Sequence, residues 1–185
     1  DAPVMHLNTW ASLFWGNAAM LSGREQAALD NLADYGCDVL TINPGQFPWP
    51  KLNAAGESTA PMDFTQFDKL VKFYQTRGKP ITLIWLGLDD NHPDMQQLQS
   101  HLAVNSPAWE KGMHWWLGQL MERMKTLNVP TSQYALYGTD EPNEGELDLT
   151  RTVAKVARSI DPSVKIYMES SELYAEQKSN DELIK

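Results

Sequence analysis

Residues 133–144 read QYALYGTDEPNE, and the fold turns on what these twelve residues are. The aromatic-rich run from Gln133 to Tyr137 reads as a strand, and Pro142, which has no backbone donor to offer a ladder, ends it. From Gly145 the apolar period changes. Leu149, Val153, Val156, Ala157 and Ile160 recur at three- and four-residue spacings, so residues 145–160 are expected as a helix with that stripe turned inward. Asp161-Pro162-Ser163 leads out of the helix into a further strand over residues 164–168. Strand, helix and strand in succession make a βαβ unit, whose two strands run parallel.

Towards the N-terminus the same order repeats. Ser106 as N-cap and Pro107 at the first helical position open a helix ending near Leu127-Asn128, with Trp109, Met113, Trp116, Leu117, Leu120, Met121 and Met124 on its buried side. A long polar connection over residues 89–105 joins it to a strand over residues 81–88. Before that strand, Asp63 and Gln66 have capping-box spacing, Phe64, Phe67, Leu70, Val71 and Tyr74 form one stripe, and Gly78 terminates the helix. A Pro-, Gly- and Asn-rich loop runs from Asn43-Pro44-Gly45 to Pro61, after a strand over residues 38–42 with almost no polar alternation. Ser22 and Glu25 open the first helix as a capping box, Gly36 stops it, and residues 4–10 form the first strand.

Strict β-α alternation calls for parallel strands with crossover helices. Two architectures satisfy it: a complete doubly wound sheet of five strands, and the first five-eighths of a (β/α)8 barrel. Strand starts lie about 30 to 50 residues apart, so eight units need on the order of 300 residues. The polar segment at residues 180–185 would suit the end of a doubly wound protein and not of a barrel. The pattern alone leaves the two even.

The 185 residues suit one domain or a large piece of one. Disorder is excluded by 42% hydrophobic against 21% charged residues, and a formal charge of -9 disfavours nucleic acid and anionic membrane surfaces as partners. Apolar runs fall far short of the roughly 20 residues that span a bilayer, so the chain is expected to be soluble with no membrane partner. It starts Asp1-Ala2-Pro3 without Met, which suggests a processed or cut N-terminus, and the accompanying expectation is an extracellular, periplasmic or cell-surface location. The single cysteine, Cys37, is expected as a buried inert thiol. Glycine-rich phosphate cradles and a G-x-S-x-G elbow are missing, and His6, His92, His101 and His114 lack metal-ligand spacing, so no cofactor and no metal are expected.

What remains is acidic. In parallel sheets, side chains at the C-terminal ends of strands converge above the sheet, where a carboxyl is partly desolvated and its pKa rises toward that of a general acid. Asp140 and Glu141 occupy that position, and Pro142 frees them from opposite-face alternation so that both can reach one pocket. The plainer alternative is that Asp140 or Asn143 caps the next helix while Glu141 and Glu144 favour its dipole.

Asp140-Glu141-Pro142 after Tyr-Ala-Leu-Tyr-Gly-Thr resembles the fourth-strand signature of (β/α)8 glycoside hydrolases. The likeness is nearest to glycoside hydrolase family 123 and the related bacterial domain-of-unknown-function family 4091. Gly36-Cys37-Asp38, residues 63–68 and the segment from Asp161 to Ile166 agree loosely, so the resemblance spans roughly residues 30 to 170. It implies a TIM-barrel fold, with residues 1–185 covering about five βα units of an incomplete barrel whose C-terminal strands are missing. The chain beyond residue 185 would then be its partner.

The resemblance implies hydrolysis of a glycosidic bond, including that of an N-acetylhexosaminide. Glu141 would protonate the leaving oxygen, and Asp140 would orient the substrate's own 2-acetamido group as nucleophile. The partner is a glycan or small sugar. Trp10, Phe47, Trp49 and Trp85 fall toward the pocket side as stacking platforms or core, whereas Trp116 reads as core. Asn43, Asp89, Asp90, Asn143 and Glu169 are candidates for sugar hydroxyls, with turns and caps as their plainer roles, and Tyr137 for the acetamido group. A non-catalytic carbohydrate-binding module and a complete doubly wound protein with another ligand are the competing readings.

Overall fold

Two left-handed residues set the ends of the helices that frame the sheet. Helix α1 (Glu25–Asp34) stops where Gly36 takes φ +80°, and the Gly36 and Cys37 N–H groups donate to Ala33 O and Leu32 O, both at 2.9 Å. Helix α3 (Pro107–Thr126) ends the same way at Asn128, φ +59°, whose N–H and that of Val129 donate to Lys125 O and Met124 O at 2.9 Å. Both are Schellman closures, which satisfy carbonyls that a helix end leaves open. At its start, α3 has the expected cap: the Trp109 N–H donates to Ser106 Oγ at 3.2 Å, with Pro107 first in the helix.

The computed structural model describes residues 6–8, 23–88, 102–140 and 144–168. Besides α1 and α3 it contains α2 (Thr65–Gln75), α4 (Glu144–Ile160) and strands β1 (Val39–Ile42), β2 (Ile81–Trp85), β3 (Tyr134–Tyr137) and β4 (Lys165–Tyr167). Two expected caps differ. Ser22 lies outside the described residues, and Arg24 precedes α1 without a side-chain cap. Before α2, Phe64 occupies the cap position, and Asp63 instead accepts the Thr65 N–H at 2.9 Å, an Asx turn that replaces the capping box with Gln66. The strand expected over residues 81–88 leaves the regular ladder after Trp85, because Gly87 takes φ +60°; Leu86 and Leu88 still donate to Tyr137 O and Gly138 O at 2.7 and 3.0 Å. Of the first expected strand only residues 6–8 are described, where Leu7 O accepts the Asp38 and Val39 N–H groups at 3.2 Å.

All pairings are parallel and the order is β1-β2-β3-β4. Each strand therefore joins the same edge as the one before. With right-handed crossovers, that order sends every helix to one face of the sheet. The packing agrees. Leu40, Ile42, Ile84, Tyr134, Leu136 and Ile166 share one core with the inward residues of all four helices, while Leu83, Ala135 and Tyr137, with Val39 and Trp85 against them, form a separate cluster. Among the described strands the order never reverses, so they contain no switch point at which a doubly wound sheet would open its binding crevice.

The loop after β1 is a built structure. Asn53 Oδ1 accepts the Ala55 and Glu57 N–H groups at 2.9 and 3.0 Å, Leu52 and Ser58 form an antiparallel bridge, and Thr59 returns two bonds to Lys51 O. Gly56, φ +72°, brings this loop against α3, where an added Cβ would stand 1.9 Å from Ala108 O. Cys37 is buried as a free thiol.

Candidate active site

Register decides which side chains meet at the C-terminal edge of the sheet. Trp85, Tyr137 and Tyr167 are paired across β2, β3 and β4, so all three stand in one row on the face away from the helices. Their rings touch in sequence: Trp85 to Tyr137 at 6.1 Å between centroids, and Tyr137 to Tyr167 edge-on at 5.1 Å. Just past the row the chain turns through Gly138 and Thr139 to Asp140, which is exposed at the rim. Tyr137 is fully buried, and its hydroxyl donates to Asp140 Oδ1 at 2.5 Å. On the helix side of that turn, the buried Thr139 and Thr150 hydroxyls are bonded at 2.8 Å, tying the turn to α4.

Of the candidates named above, Trp85, Tyr137 and Asp140 thus come together, and Asn43 follows directly on β1 at the same edge, buried, its N–H donating to Gln46 Oε1 at 2.8 Å. Trp49 goes elsewhere. It stacks on Trp116 at 4.9 Å and on Phe47 at 6.0 Å, packed against the helix-side core, and Trp116 Nε1 donates to Pro48 O at 3.1 Å. Trp116 is core as expected. Trp10, Asp89, Asp90, Glu141, Asn143 and Glu169 lie outside the described residues. Tyr167 and the Thr139–Thr150 pair were missed from sequence. Tyr167 was recognisable only as an aromatic residue two positions before Glu169, and its place depends on the register of β4 against β3.

The bond at Asp140 runs back into the sheet, and among the described residues it is the only one that carboxylate makes. A buried phenol that donates a hydrogen bond to an exposed carboxylate engages one of its two oxygens. Two phenols perturbed by burial do structural work on the helix side. Burial pushes Tyr74 above the ordinary phenol range while its hydroxyl donates to Thr41 O at 2.8 Å, and burial first, then Asp161, raises Tyr134 to about 12. Among the described residues no three His, Cys, Asp or Glu side chains converge as a metal site. A cavity of about 510 Å³ opens between α1 and α2, lined by Glu25, Gln46, Lys69 and Phe73, and holds none of the rim residues.

No family model matches the chain, and no curated protein does. Among solved structures, the crystal structure of a glycoside hydrolase superposes with a TM-score of 0.52 at 16% identity, over 80% of this chain and 50% of that one. The chain thus spans about half the length of that neighbour, and at such identity the likeness is one of fold alone.

Proposed function

We propose that this chain is part of a (β/α)8 glycoside hydrolase that cleaves a glycosidic bond of a 2-acetamido sugar. The observation that carries this reading is the Tyr137–Asp140 hydrogen bond at the C-terminal rim, set in the row Trp85, Tyr137 and Tyr167. Carboxylates beside aromatic faces suit a saccharide, whose apolar ring face stacks while its polar groups are bound at the edge. Sequential parallel order and one-sided helices are what an arc of a barrel wall has, and the likeness in fold to a glycoside hydrolase is in keeping with the proposed activity. Under it, further strands complete the wall around the row.

In the mechanism, Glu141 acts as general acid and gives its proton to the leaving glycosidic oxygen. Asp140 accepts the amide N–H of the 2-acetamido group, which turns the carbonyl oxygen toward the anomeric carbon and favours its attack as an internal nucleophile. Water then opens the cyclic oxazolinium, with Glu141 taking back a proton as base.

The test is hydrolysis of aryl 2-acetamido-2-deoxyglycosides by the whole protein and by its Glu141→Gln variant. Loss of a general acid lowers kcat by about 10²- to 10⁴-fold, less for leaving groups that need no proton, with saccharide binding retained. Saccharide binding with no turnover by the unaltered protein would instead make it a carbohydrate-binding module.

A further inference from the structure

Asp140 stands exposed at the rim, yet it is held by a residue with no exposure at all. The Tyr137 ring is wedged between Trp85 and Tyr167, so the phenol has little freedom, and its hydroxyl meets Oδ1 at 2.5 Å. The backbone between the two residues is tied from the opposite face by the Thr139–Thr150 bond at 2.8 Å. An exposed aspartate otherwise samples several rotamers. Here one oxygen is committed to the phenol, and among the described residues Oδ2 has no partner.

We infer that Tyr137 is a positioning residue that acts through Asp140: its hydroxyl selects the carboxylate rotamer in which Oδ2 receives the amide N–H of a 2-acetamido sugar. The inference rests on the proposed function. Tyr137 touches no reacting atom, so removing its hydroxyl should loosen the acetamido group's aim rather than abolish binding, and a misplacement of about 1 Å in such a group costs up to about 10²-fold in rate.

The test is a double-variant cycle in the whole protein with Tyr137→Phe, Asp140→Ala and the two combined, assayed on an aryl 2-acetamido-2-deoxyglycoside. Phe keeps the ring and its contacts. The expected result is a loss in kcat of roughly 10- to 100-fold for Tyr137→Phe, with KM changed less than about threefold, and no added loss when it is placed on Asp140→Ala. Losses that multiply, or an unchanged kcat, would overturn the inference. A readout free of turnover accompanies the cycle: the Tyr137 hydroxyl proton should be visible by NMR as a slowly exchanging, downfield resonance that Asp140→Ala removes. If that resonance is missing from the unaltered protein, the positioning contact itself is wrong. If it is present while no acetamido glycoside is hydrolysed, the proposed function has failed and takes the positioning role with it.

Discussion

Two of the connections at the C-terminal edge of the sheet are built on opposite plans. The long one, between β1 and α2, folds on itself: Asn53 closes a turn, Leu52 pairs with Ser58, Trp49 stacks on Trp116 with Phe47 tilted against it, and Lys111 of α3 reaches Glu57 at 2.8 Å. In the short one, after β3, the described residues 138–140 tie Thr139 to Thr150 of α4 and hold the Asp140 carboxylate at the rim through Tyr137. A loop whose polar groups bond one another and whose aromatics are packed has little left for a ligand. The loop richest in aromatic residues and prolines packs its rings on α3, while the turn after β3 brings the candidate carboxylate Asp140 to the rim.

The sharpest way to break this comparison is Gly56→Ala. The new Cβ would meet a backbone oxygen at 1.9 Å from a left-handed residue, so the loop must lift off α3. Destabilisation of about 3 kcal/mol is expected from the overlap and the unfavourable φ, read as a lower denaturation midpoint with no change in saccharide binding by the folded fraction. An unchanged midpoint would mean that the loop is free to move and that the contrast is false.

Next in size is Trp49→Ala. If Trp49 is core, removing a partly buried indole from the stack with Phe47 and Trp116 should cost about 2 kcal/mol, while affinity for an acetamido sugar stays put. A large loss of affinity with little loss of stability would return Trp49 to the ligand.

The smallest effect lies at the far end of β1, where His6 Nδ1 meets Asp38 Oδ2 at 2.7 Å and Leu7 N–H donates to Oδ1 at 2.8 Å. Burial pulls the Asp38 pKa upward, but the His6 and Leu7 hydrogen bonds outweigh it and hold the carboxyl below its usual value of 3.8. A carboxylate lowered in the folded state adds stability above its unfolded pKa and loses it as pH falls through the folded one, so the contribution fades below about pH 3.8. Both side chains are close to half exposed, at 44% and 45%, and screening limits the effect to about 0.5 kcal/mol. Comparing the unfolding free energy of Asp38→Asn with the parent from pH 7 to pH 3 checks the sign: the two should converge at the acid end.

Legibility followed the range of the interactions. Helix α3 was readable almost whole, because Ser106, Pro107 and a stripe of seven apolar residues act within a few turns of one another, and all seven are buried. The start of α2 was misread because Asp63 can satisfy a nearer N–H than the capping box requires. At β2, one left-handed glycine shortened the ladder. For the site, the acidic motif and its strand were visible, and so was Tyr137. Its bond to Asp140 was not, since Gly138 and Thr139 can be turned in more than one way.

By itself the sequence determined the alternation of strands and helices, the buried stripes of α2, α3 and α4 and the acidic end of β3, because these depend on neighbours within about one or two turns of chain. Only the tertiary structure decided the strand order, the single face that carries the helices, the alignment of Trp85, Tyr137 and Tyr167, and the withdrawal of Trp49 into the aromatic core. Those depend on pairing between segments tens of residues apart, where a shift of one residue in register would turn the same side chains to the opposite face.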